Sequence, residues 1–128
     1  SIVHQLFAQP GTLDSTFGSN GVTLTAINFT NSSIATCLAI QSDGKILVGA
    51  FFDDWGPINT SGGLLRYTSQ GKLDSSFGNG GINEYGDVTF SVASQPDGQY
   101  AWLGLDYLTF FILKTDANGS GGTLIELD

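Results

Sequence analysis

Apolar and polar positions along this chain fall into short runs separated by turn signals. Residues 35–41 and 45–52 are apolar runs joined by Ser42-Asp43-Gly44. Asp tolerates a tight bend and Gly supplies positive φ, so the spacing predicts a β-hairpin. A third strand is predicted over 64–68 and, after a turn at Ser69-Gln70-Gly71, a fourth over 82–85. The same order returns downstream, with strands predicted over 89–95, 99–105, 109–115 and 123–127. The run Lys45-Ile46-Leu47-Val48-Gly49-Ala50-Phe51-Phe52 is nearly continuous rather than alternating. A strand reads that way when both of its faces are covered. No window carries an apolar helical stripe free of Gly or turn residues, so no helix is predicted.

The chain also repeats itself. Leu13-Asp14-Ser15-Thr16-Phe17-Gly18 returns as Leu73-Asp74-Ser75-Ser76-Phe77-Gly78, sixty residues on. Gln41-Ser42-Asp43-Gly44 returns as Gln95-Pro96-Asp97-Gly98 after 54 residues, and Leu65-Arg66 with Gly71 as Leu113-Lys114 with Gly119 after 48. The shrinking interval places two shorter loops in the second copy: residues 85–88 against 28–33, and the few residues around Asp106 against 53–62. Length changes that fall in loops are expected of repeats on one scaffold.

Four antiparallel strands with both faces covered describe a propeller blade. The expected fold class is all-β, with about two four-stranded blades: 1–33 the end of a preceding blade, 34–87 a complete one, and 88–128 an atypical terminal one. Propellers close with about four to eight blades. Two blades leave apolar faces open, which predicts a homo-oligomer that closes the ring by symmetry, or membership in a longer repeat array. In the motif itself, Asp14 and Asp74 are expected to accept backbone N–H bonds in the following turn. Phe17 and Phe77 are expected to pack between blades, while Gly18 and Gly78 permit the reversal and Leu13 and Leu73 lead into it.

These motifs resemble the bacterial delta-sixty repeat. Gln41-Ser42-Asp43-Gly44-Lys45, Arg66-Tyr67, Gly71 and residues 73–81 carry the resemblance, which extends over nearly the whole chain. It implies propeller blades of unassigned function and no catalytic residues. The second copy departs from it after Gly119, where no Leu-Asp-x-x-Phe-Gly follows.

Composition narrows the function classes. The net charge is −8, and Lys45, Arg66, Lys72 and Lys114 are the fixed cations. Such a balance repels nucleic-acid phosphates and anionic membrane surfaces, and no apolar stretch is long enough for membrane insertion as a helix. Cys37 stands alone in the apolar run 35–40, which predicts a buried structural thiol and excludes an internal disulfide. Few lysines and abundant Ser, Thr and Asn favour an extracellular or cell-surface setting.

The site candidates are few. Asp53-Asp54-Trp55, with Asn59, places an aromatic face beside hydrogen-bond acceptors in the longer of two equivalent loops. That combination suits a carbohydrate or a protein partner. Asp116, Asn118 and Ser120 fall at positions one, three and five of a calcium loop. Position twelve is Leu127 rather than Glu, which favours a plain hairpin over Ca2+. No other cofactor is expected. One histidine, His4, and no nucleophile–base pattern leave no enzymatic constellation. The sequence thus predicts a non-enzymatic binding or scaffolding module, with a lectin-like propeller as the alternative and a glycoside hydrolase behind both.

Overall fold

A computed structural model describes residues 11–27, 32–53, 60–119 and 122–127. Among them the chain forms two four-stranded antiparallel sheets, each in simple sequential order. The first contains β1 (Ser32–Ile40), β2 (Ile46–Asp53), β3 (Thr60–Tyr67) and β4 (Ile82–Glu84); the second contains β5 (Val88–Ser94), β6 (Tyr100–Asp106), β7 (Thr109–Thr115) and β8 (Gly122–Leu127). The all-β class and the four-stranded blades expected from the sequence are therefore present.

The two copies agree in detail. Each has a register shift in its first pair, between Ala35 and Cys37 and between Thr89 and Ser91. These positions lie 54 residues apart, so the bulge belongs to the repeat. The β1–β2 and β5–β6 turns are closed alike, with Asp43 Oδ1 accepting from the Lys45 N–H at 3.1 Å and Asp97 Oδ1 from the Gln99 N–H at 3.0 Å.

Three features differ from the sequence expectation. β1 starts at Ser32 rather than 35, because Ser32, Ser33 and Ile34 pair with Asp53, Phe52 and Phe51. β3 starts at Thr60 rather than 64, because Ser61, Gly62 and Gly63 stay in register with Phe52, Phe51 and Ala50. A side chain at Gly62 would lie 2.8 Å from the Val88 nitrogen, so the bare backbone lets the second sheet approach. Cys37 is half-buried rather than buried, since it sits on the edge strand β1 and packs against the core from one side.

The core lies between the sheets. Leu47 and Leu64 of the first sheet meet Phe77, Val92, Tyr100 and Trp102, in a cluster whose members are nearly inaccessible to water. Each fully buried side chain of this size contributes about 1.5–3 kcal/mol. A second cluster, Ala50, Phe52 and Leu65 with Ile27, Leu73 and Ile82, covers the opposite face of the first sheet. Burial on both faces explains why β2 reads as a continuous apolar run.

One seam is built twice. After β3 the chain turns at Gly71 and runs through the Asp74–Gly78 loop into β4. The Gly78 N–H then donates to the Asn118 carbonyl at 3.3 Å, and Asn83 Nδ2 to the Gly119 carbonyl at 2.9 Å. Residues 11–27 repeat the arrangement on the first sheet: the Gly18 N–H donates to the Gln70 carbonyl at 2.8 Å, and Thr23 Oγ1 to the Gly71 carbonyl at 2.7 Å. Gly119 and Gly71 stand at positive φ of 79° and 80° in these receiving turns. A Cβ at Gly119 would lie 3.0 Å from the Phe77 ring and 3.2 Å from Asn83 Nδ2, so glycine leaves room for the incoming loop.

Among the described residues the second sheet carries no such loop: β8 pairs with β7 over six residues, where β4 pairs with β3 over three. Its outer face carries the cross-strand rows Leu103–Ile112–Ile125 and Leu105–Phe110–Leu127, with the Phe90 ring 6.0 Å from Phe110. Phe110, Ile125 and Leu127 are exposed there, as are Leu38 and Ile40 on β1. Among the described residues no helix is long and apolar enough to cross a membrane.

Candidate functional site

Strand direction gives the two-sheet unit two distinct ends. One end carries the β1–β2 and β5–β6 turns, the Asp74–Gly78 loop and the turn after β7. It is tightly tied: Gln41 Nε2 donates to the Gly98 carbonyl at 3.0 Å and Ser42 Oγ to the Pro96 carbonyl at 3.2 Å. The other end carries the β2–β3 connection, residues 85–87 between the sheets, and the β6–β7 turn.

Charge divides between these ends. Lys45 pairs with Asp43 at 3.5 Å and Asp74 at 3.4 Å, and Arg66 pairs with Asp74, all at the tied end. Lys72 lies in the turn after β3, and Lys114 is one residue from the end of β7, so all four Lys and Arg of the chain belong to that end. The open end holds Asp53, Asp87 and Asp106 at strand ends and connections, with Glu126 one residue from the end of β8. It is an acidic rim without a lysine or arginine.

A cleft of about 170 Å³ opens on this rim, lined by Tyr85, Asp106, Tyr107, Phe111 and Glu126, with Thr109 and Leu124 at its sides. Phe111 is buried and forms its floor. The Tyr85 ring stands edge-on to Phe111, 4.8 Å between centroids, and 6.4 Å from Trp102. This stack fixes Tyr85 from behind. Glu126 faces Phe111 directly across the β7–β8 ladder, which aims its carboxylate at the same side of the sheet.

The β6–β7 turn shapes the mouth. Asp106 pairs with Thr109, leaving Tyr107 and Leu108 as a two-residue turn. Tyr107 has φ of 54° at the first central position, where glycine is the usual occupant. Its N–H donates to Asp87 Oδ2 at 2.7 Å, which holds the strained backbone in place. The side chains at the tip are almost wholly in water, 82% exposed for Tyr107 and 95% for Leu108. Non-glycine residues in this conformation cost about 1–2 kcal/mol and concentrate at functional positions.

The sequence-predicted residues fall as follows. Asp53 ends β2 at the open rim, where Ser32 Oγ donates to its Oδ2 at 3.4 Å. Asp54, Trp55 and Asn59 lie outside the described residues, as does Ser120. Asp116 Oδ1 accepts the Asn118 N–H at 2.9 Å in the turn after β7, at the tied end. Among the described residues no three His, Cys, Asp or Glu side chains come together as metal ligands would.

The two copies of the repeat motif close their turns alike but pack differently. Asp14 Oδ1 accepts from the Thr16 N–H at 2.9 Å and its hydroxyl at 2.6 Å, and Asp74 Oδ1 accepts from the Ser76 N–H at 3.1 Å and its hydroxyl at 2.6 Å. These bonds, the Ser76 hydroxyl first, hold the Asp74 carboxyl down at about 2; partial burial opposes them, while Arg66 and Lys45 assist. The Thr16 hydroxyl likewise lowers Asp14. Phe77 is fully buried between the sheets. Phe17 is half-buried and faces Ile46, Val48 and Tyr67 across an open pocket of about 230 Å³. Leu13 is exposed while Leu73 packs on the core and bridges to Tyr67.

Residues 41–77 match a family described as a domain of unknown function (DUF5122), beta-propeller. The matched span runs from the β1–β2 turn through β2 and β3 to Phe77, and so covers the two central strands of the first sheet and its docking loop. No curated protein and no solved structure matches the chain.

Sequence reading passed over Tyr85, Asp87, Asp106, Tyr107 and Glu126. Tyr107 had one available signal. The loop it occupies is the counterpart of the Asp53–Asn59 loop, and both set an aromatic residue directly after an aspartate: Asp54-Trp55 and Asp106-Tyr107.

Proposed function

We propose that this chain is a non-enzymatic binding or scaffolding module of propeller type that meets its ligand at the acidic rim. The observation that carries this reading is the Tyr107 turn, a strained and fully presented aromatic beside a cleft with fixed aromatic walls. Stability alone favours glycine at that position, so the tyrosine is explained by contact with something outside the chain. Among the described residues the rim includes no histidine or cysteine and no nucleophile paired with a base, which supports binding over catalysis.

The apolar rows on the outer faces support association with a further blade, either in a homo-oligomer or in a longer array. A lectin-like role is the second reading. It is favoured by the recurrence of an aromatic beside carboxylates in both equivalent loops, an arrangement that can stack on a sugar ring and accept its hydroxyls.

A glycan and peptide array probed with the wild-type chain and with Tyr107→Ala tests the rim. Binding that disappears in the variant supports the reading, and glycan hits also lost in Trp55→Ala favour the lectin. Binding untouched by Tyr107→Ala, or turnover of chromogenic glycosides by the wild type, overturns it.

A further inference from the structure

We infer that the rim cleft binds an organic cation, of the alkylammonium class. The inference rests on the rim being the binding face and goes on to name its ligand chemistry. Three observations converge. The cleft walls are aromatic: Tyr85 and Phe111 are locked edge to face, and Tyr107 is presented at the mouth. Aromatic faces carry negative potential and attract alkylammonium groups. Two carboxylates, Asp106 and Glu126, line the same cleft, with Asp87 beside the Tyr107 backbone. Finally, all four lysines and arginines of the chain sit at the opposite end, where Lys45 and Arg66 are already engaged by aspartates. The rim carboxylates thus lack a lysine or arginine partner within the chain.

A cation suits this wall better than a neutral sugar. The lining side chains offer carboxylates and hydroxyls but no amide or guanidinium N–H to donate to ring or glycosidic oxygens. The volume of about 170 Å³ accommodates a headgroup the size of tetramethylammonium.

The test is an NMR titration of the full chain, reading the amides of Tyr85, Tyr107 and Phe111. Tetramethylammonium chloride is compared with tert-butanol, its neutral near-isostere, and with sodium chloride at matched ionic strength. Expected are saturable shifts with tetramethylammonium alone, weakened roughly 3- to 5-fold in Tyr107→Ala and again in Glu126→Gln. Both substitutions are at exposed positions, and the unchanged remainder of each spectrum reports folding. Equal responses to tert-butanol or sodium, no saturable shift, or full affinity in Tyr107→Ala overturns the inference. Methyl glycosides are titrated alongside. A glycoside response lost in Tyr107→Ala, without a cation response, sinks the cation and keeps the rim as a binding face. No response to any of these probes, together with an empty array, sinks both.

Discussion

Arg66 Nε donates to Asp74 Oδ2 across 2.9 Å, and this contact ties the repeat motif to the strand before it. The same guanidinium reaches the second blade through the Ala117 carbonyl, donates to Ser76 Oγ at 3.2 Å, and lies 4.6 Å over the Phe77 ring. Arg66 is 1% exposed, so its charge is almost fully withdrawn from water. Removing one partner of such a pair strands the other, at a cost of roughly 3–5 kcal/mol. Arg66→Ala is therefore expected to lower stability by about that amount in urea unfolding. Arg66→Lys should recover little, because an ammonium cannot fork between Asp74, Ser76 and Ala117. Asp14→Asn is the control. Asp14 is exposed, and its loss should cost clearly less than the loss of Arg66.

The same aspartate sets the acid limb of stability. The Asp74 carboxyl stands at about 2 in the folded chain, lowered from 3.8 chiefly by the Ser76 hydroxyl. A depressed carboxyl contributes stability that is fully present above its unfolded pKa and is lost as pH falls through the folded one. The window is therefore pH 4 down to 2. The contribution is on the order of 1 kcal/mol once solvent screening at a partly exposed carboxylate is allowed for. Urea midpoints measured from pH 6 to 2 should fall through this window in the wild type. In Asp74→Asn the curve should start lower and fall less.

The twice-built seam gives a paired comparison. Phe77 is fully buried against Leu47, Leu64, Tyr100 and Trp102, whereas Phe17 lines an open pocket. Truncating a fully packed phenylalanine costs about 3–5 kcal/mol, much of it from the cavity left behind. Phe77→Ala should show that loss, and Phe17→Ala a clearly smaller one. Equal losses would mean that the first seam is as well filled as the second under the conditions of the measurement.

Much of this fold was legible because local signals and repeat spacing agreed. The Asp-Gly turns at Gly44 and Gly98 fixed two hairpins, and the recurrence of Asp14 and Asp74 located the docking loops. The start of β3 was not legible, since Ser61-Gly62-Gly63 has weak strand propensity and is held extended by its neighbours. The role of Arg66 was equally hidden. An arginine in an apolar strand does not reveal that its carboxylate partner lies eight residues on, or that a carbonyl from the next blade completes its bonds. The rim was missed for a related reason. Tyr85, the Asp106–Tyr107 turn and Glu126 come from three separate places in the chain, and only the packing of the two sheets together with the β7–β8 ladder gathers them. Nor does any sequence pattern show that the positive charges sort to one end, because that follows from strand direction.

Tyr107 offers a test that separates stability from function. With φ of 54°, its backbone occupies a conformation that glycine adopts freely. Tyr107→Gly relieves about 1–2 kcal/mol of left-handed strain and gives back roughly half of that through the greater freedom of glycine when unfolded. The exposed ring contributes little burial to offset this. Tyr107→Gly is thus expected to raise stability by roughly 0.5–1 kcal/mol in urea unfolding while removing the aromatic face from the rim. A variant that becomes more stable and loses binding in the same step would mark the tyrosine as kept for its ligand. A variant that loses stability instead would show that the ring holds the turn together, and the case for the rim as a binding face would fall with it.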